Sequence, residues 1–119
     1  MLRLNLNTTN IFYYYGLKQK RCIACEGWMK PMPNFLIKKY LKKIKRWKIK
    51  KGKLYKEFRF KNFKEALKFV NKVGKIAEKE GHHPDIYFTW GKCNIELYTH
   101  AIKGLSENDF ILAAKIDKI

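Results

Sequence analysis

The chain carries three histidines, and they occupy two short stretches. His82 and His83 stand side by side in "EKEGHHPDIYFTWG", and His100 follows in "YTHAIKG". Imidazole has an unperturbed pKa of about 6.5, so it takes up or releases a proton near neutral pH. Three imidazoles held together resist simultaneous protonation, because like charges repel, and acid and base forms then coexist in one place. Such a cluster serves proton transfer or binds a metal ion. Cys22 and Cys25 of "CIAC" add the spacing of a zinc-ligand pair or a redox pair. No second ligand pair follows at finger spacing, adjacent histidines are unusual zinc ligands, and no strand precedes the cysteines as a redox motif requires. Loop cysteines without a chemical role are the plainer reading.

Whether the histidines meet depends on the elements that carry them. "NFKEALKFVNKVGKIAEKEG" is the clearest helix: Asn62 and Glu65 make a capping-box pattern, and Phe63, Ala66, Leu67, Val70, Val73 and Ala77 form an apolar stripe. Gly81 suits the left-handed position that ends a helix. Pro84 pushes His83 out of helical conformation, so the histidine pair stands on a corner. Beyond it, "IYFTWGKCNIELYT" alternates as a hairpin, with Gly91 and Lys92 turning the chain. That pairing brings the Thr99 end of the last strand beside Asp85. His100 should therefore return to His82 and His83 on one rim of a sheet.

Upstream, "NFLIKKYLKKIKRW" has helical spacing, with Asn34 available as N-cap. "WKIKKGKLYKEFRF" reads as two strands turned at Gly52. "GLSENDFILAAKIDKI" is a last helix, capped by Ser106 with Asp109 closing the box. The order helix-strand-strand-helix-strand-strand-helix predicts an α+β domain, a four-stranded antiparallel sheet with its helices packed on one face.

A chain of 119 residues fits one such domain. Its 27 basic against 10 acidic residues give a net charge of +17, which suggests a polyanion partner. The lysines are spread over almost every segment, however, as in a solvated coat. An odd number of cysteines argues against a disulfide framework and suits a reducing compartment, the cytoplasm first and the nucleus as an alternative. No apolar run approaches the roughly 18 residues of a membrane span. Residues 1–21 read as a flexible, acid-poor extension with organelle targeting left open, and residues 22–119 as the domain.

The segment "EKEGHHPDIYFTWGKCNIELYTHAIKGLSENDF" resembles the diagnostic stretch of pterin-4a-carbinolamine dehydratases. Glu78, His82, His83, Pro84, Trp90, Thr99, His100, Gly104, Leu105 and Asp109 stand in register with that pattern. The likeness runs back through Phe58, Phe60 and Phe63 to Trp47 and reaches the "CIACEG" leader. It implies dehydration of 4a-hydroxytetrahydropterin to the quinonoid dihydropterin, without a metal or organic cofactor, in a homodimer or homotetramer. It implies active-site histidines at His82, His83 and His100, with Trp47, Glu78, Gly81, Tyr98 and Thr99 lining the substrate. An arginine common in the family is replaced here by Asn108. Some animal members also act as dimerisation partners of a homeodomain transcription factor, and the charge keeps a nucleic-acid-associated role as the rival reading.

Overall fold

The computed structural model describes residues 16–119. Its elements follow the expected order: α1 (Asn34–Leu41), β1 (Lys48–Lys50), β2 (Lys53–Arg59), α2 (Phe63–Glu80), β3 (Asp85–Thr89), β4 (Lys92–Leu97) and α3 (Glu107–Ile116). Short 3-10 turns lie at Leu17–Gln19 and His100–Ile102. The strands pair antiparallel in the order β1-β2-β4-β3, and the domain is α+β. Of the extension expected over residues 1–21, residues 1–15 lie outside the described residues. Leu17 packs into the core, and Lys115 Nζ donates to Lys18 O at 2.8 Å.

Strand alternation decides the buried face. The register sets Leu54 opposite Leu97 and Phe58 opposite Cys93, with Ile86 and Phe88 of β3 beside Ile95 and Cys93. These side chains meet Phe69 and Val73 of α2 and Phe110 and Leu112 of α3. Each large apolar side chain fully buried there contributes about 1.5–3 kcal/mol. Lys56 occupies an inward position opposite Ile95. It is tolerated because its ammonium meets Asp117 Oδ1 at 2.7 Å, and Trp47 Nε1 donates to the same carboxylate at 3.0 Å.

Several local expectations are corrected. Asn34 is the first helical residue of α1, and Pro33 holds the N-cap position, its carbonyl accepting from Leu36 N and Ile37 N at 3.0 Å. The helix stops at Leu41 instead of running on toward Trp47, and Arg46, at φ 63°, swings the chain into β1. On α2 the buried line is Ala66, Phe69, Val73, Ala77 and Glu80. Leu67 lies about 100° round the helix from Ala66 and is exposed. Thr89 pairs with Lys92, so the β3–β4 turn is Trp90 and Gly91, where Phe60 N donates to Gly91 O at 2.8 Å.

The loop bearing His100 is closed at its base. Thr99 N donates to Gly104 O at 3.0 Å, and Met32 N reaches Leu105 O at 2.8 Å. Pro31 packs so closely on Gly104 that a Cβ there would lie 2.4 Å from Pro31 Cβ. Gly104→Ala should therefore cost about 1–3 kcal/mol by overpacking. Equilibrium urea denaturation measures it, and an unchanged midpoint would contradict this account of the loop.

Candidate active site

Gly81 ends α2 with φ 66°, and its N–H returns to Ala77 O at 2.9 Å. That conformation is open to glycine at no steric cost. It releases the chain at the edge of the sheet with two histidines in unlike settings. The His82 side chain is 12% exposed and that of His83 is 60% exposed. Across β4, Tyr98 and His100 meet edge-on at 5.1 Å between ring centres. The result is an open cavity of about 280 Å³ lined by His82, His83 and His100 together with Gly81, Tyr98 and Thr99. The expected convergence of the histidines is present. Glu78 joins through His83, whose Nε2 lies 2.6 Å from Glu78 Oε2. Trp47 is not brought to the cavity; it is buried, bonded to Asp117, and packed edge-on against Phe58.

The residue that organises the cavity is Asp109, whose place in the sequence points mainly to a helix cap. Its side chain is 0% exposed. One carboxylate oxygen accepts from Ser106 N at 3.0 Å and from Thr99 Oγ1 at 2.8 Å, and the other lies 2.6 Å from His82 Nε2. A carboxylate can only accept, so His82 donates from Nε2 and keeps Nδ1 for whatever enters the cavity. Nδ1 then accepts a proton when the ring is neutral and donates one when it is charged. This is a fixed imidazole backed by a carboxylate, the arrangement that holds a general base in orientation. The sequence signal was present in the register of Asp109 with the histidine signature. Capping and imidazole orientation draw on different oxygens of one carboxyl group, so the cap pattern alone did not reveal the second role.

The remaining wall comes from the leader, where Ile23, Ala24 and Cys25 face the histidines. Asn108 holds this stretch by its backbone: Nδ2 donates to Ile23 O at 2.6 Å, and Oδ1 accepts from Ile23 N at 3.0 Å. Glu80 holds the residue before it, accepting from Cys22 N at 2.9 Å, with Arg21 at 3.2 Å and Lys115 at 3.5 Å. Burial alone would raise the Glu80 carboxyl, but the Cys22 N–H, Lys115 and Arg21 together hold it below its ordinary pKa. Burial, and then the Glu80 charge, push the Cys22 thiol up to about 12. It is a protonated thiol at neutral pH, a weak candidate for redox or zinc chemistry. Among the described residues no three His, Cys, Asp or Glu side chains gather as a metal site would require.

Known proteins resemble this chain in sequence and in fold. The family model described as pterin 4 alpha carbinolamine dehydratase matches residues 30–119. A curated relative named for that dehydratase in Alkaliphilus metalliredigens is 51% identical over 105 residues, covering 87% of this chain and 95% of the relative. Another, from Methylococcus capsulatus, is 49% identical over 106 residues, covering 87% and 93%. Among solved structures, a transcriptional coactivator/pterin dehydratase from Brucella melitensis superposes with a TM-score of 0.71 at 25% identity, over 75% of this chain and 97% of that one. A pterin dehydratase-like protein described as a RuBisCO assembly factor in the alpha-carboxysome gives a TM-score of 0.52 at 28% identity, over 61% and 84%.

The leader contacts predict a pH dependence. A carboxylate whose folded pKa lies below its unfolded value adds stability above the unfolded value and loses it as pH falls through the folded one. Glu80→Gln should cost about 1–3 kcal/mol at neutral pH. The gap from the parent should close as pH falls below the ordinary carboxyl value of 4.5. Urea midpoints of both proteins across that range measure it, and a gap that stays constant into acid would exclude Glu80 as the cause.

Proposed function

The chain belongs to the pterin 4 alpha carbinolamine dehydratase family and is a hydro-lyase; from that premise we propose that it converts 4a-hydroxytetrahydrobiopterin to the quinonoid dihydropterin and water, in the recycling that follows aromatic amino acid hydroxylation. The C4a–O bond breaks with its electron pair leaving on oxygen, and the adjacent ring nitrogen loses a proton as the C=N bond forms. Hydroxide is a poor leaving group, so an imidazolium must protonate it while a neutral imidazole takes the ring proton. His82 takes the ring proton at Nδ1, and Asp109 offsets the charge that forms. His83 protonates the departing hydroxyl, oriented by Glu78, and His100 positions that hydroxyl. Gly81, Tyr98 and Thr99 line the ring. The mechanism draws on side chains alone.

The observation that carries this reading is the 2.6 Å contact between His82 Nε2 and a fully buried Asp109, on the wall of a cavity lined by the other two histidines. Trp47 has no part in it, since its indole is committed to Asp117. Large apolar side chains stand exposed at Trp28, Phe35, Tyr87 and Trp90. A homodimer or homotetramer would take such side chains out of water. A reducing compartment, the cytoplasm first, suits the free cysteines.

A second reading, a polyanion- or protein-binding role on the same fold, rests on the +17 charge and on the coactivator name of the Brucella melitensis neighbour. It requires nucleic-acid binding with a steep salt slope.

His82→Ala and His83→Ala should each lower the rate of carbinolamine breakdown by about 10²–10⁴ while leaving the circular dichroism spectrum intact. Stopped-flow absorbance on 4a-hydroxytetrahydropterin measures this, and normal turnover in both variants would falsify the assignment. Asp109→Asn should slow turnover by about 10- to 100-fold and also lower the denaturation midpoint. Loss of stability at full turnover would confine Asp109 to capping.

A further inference from the structure

The histidine cavity does not end at His100. Tyr98 and His100 also line a second, larger cavity of about 520 Å³ on their other side. The charged lining of that cavity is Lys51, Lys53 and Lys103, and no Asp or Glu lines it among the described residues. Backbone conformation fixes where these lysines stand. Lys51, at φ 52°, is in the β1–β2 turn, and Lys103, at φ 54°, closes the His100 loop. Lys53 opens β2 with Nζ 5.6 Å from the Tyr98 ring centre, and its carboxylate neighbour Glu96 is 3.9 Å away. Two other lysines, by contrast, are closely neutralised, Lys20 by Glu107 at 2.8 Å and Lys56 by Asp117 at 2.7 Å. The histidine cavity itself has no Lys or Arg in its lining. Positive charge is therefore gathered in a concave place next to the acid-base groups, where it raises the local concentration of anions.

Resting on the dehydratase reading, we propose that this second cavity receives a phosphate ester on the side chain of the pterin, so that a phosphorylated 4a-hydroxytetrahydropterin is a better substrate than its neutral counterpart. The bicyclic ring occupies the histidine cavity, and its side chain passes Tyr98 and His100 into the lysine-lined space. A neutral side chain would leave Lys51 and Lys103 without a counter-charge among the described residues. A phosphate monoester supplies two negative charges and three acceptor oxygens, and such charge-assisted hydrogen bonds are about twice as strong as neutral ones.

The test compares three 4a-hydroxytetrahydropterins on the full chain: one with a neutral polyol side chain, its phosphate monoester, and an analogue ending in a carboxylate. The expected result is a kcat/KM for the phosphate ester at least about tenfold above the neutral compound at low salt, shrinking as ionic strength rises. Lys51→Asn, Lys53→Gln and Lys103→Asn combined should bring that ratio toward one; asparagine is chosen because it tolerates the left-handed backbone. Equal turnover of neutral and phosphorylated compounds, a preference for the carboxylate, or a preference indifferent to salt overturns the proposal and leaves the dehydratase reading standing. Failure to turn over any of the three overturns both.

Discussion

A carboxylate with no exposure to water is the constraint around which this domain is arranged. Taking such a charge out of solvent costs several kcal/mol unless donors replace the lost water. Asp109 finds those donors in three separately built places: the backbone at the start of α3, the hydroxyl just past β4, and the ring on the corner before β3. Helix cap, strand end and corner are thereby fixed to one another. The group that orients the imidazole is the group that starts the helix, so stability and chemistry are not separable at this position.

Glu80 repeats the device at the last turn of α2. It closes a helix whose solvent face is largely lysine, yet it points inward and is satisfied by the leader backbone and two cations. Asn108, beside Asp109, completes the attachment with a two-bond clasp on Ile23. Aromatic packing fixes the other end of the sheet, where Phe69 lies 4.6 Å from Phe58 and 5.0 Å from Phe60 between ring centres. Polar ties shape the end that bears the histidines, and apolar packing holds the rest.

The order of the elements and the meeting of the histidines were legible because they follow from local rules. Alternation, a turn at Gly52, a left-handed stop at Gly81 and a proline after His83 each act within a few residues. What was missed depends on distance along the chain. Asn108 and Ile23 are 85 residues apart, and Arg21 and Glu80 are 59 apart, so no window of sequence shows either contact. The position of Trp47, away from the histidine cavity, was hidden for the same reason: its partner, Asp117, lies 70 residues away. Leu67 was misplaced by one step of helical phase, since "ALKF" offers apolar side chains on two faces and only tertiary packing selects Phe69.

The leader is at once a wall of the cavity and a segment held mainly through polar contacts, and this has a thermodynamic consequence. Any molecule that touches Ile23–Cys25 from within favours the docked leader, and by reciprocity the docked leader tightens the grip on that molecule. Lys18, Lys20 and Arg21 lie exposed just before this wall. A single cleavage among them would weaken binding while every imidazole stayed in place, and an occupied cavity would slow that cleavage.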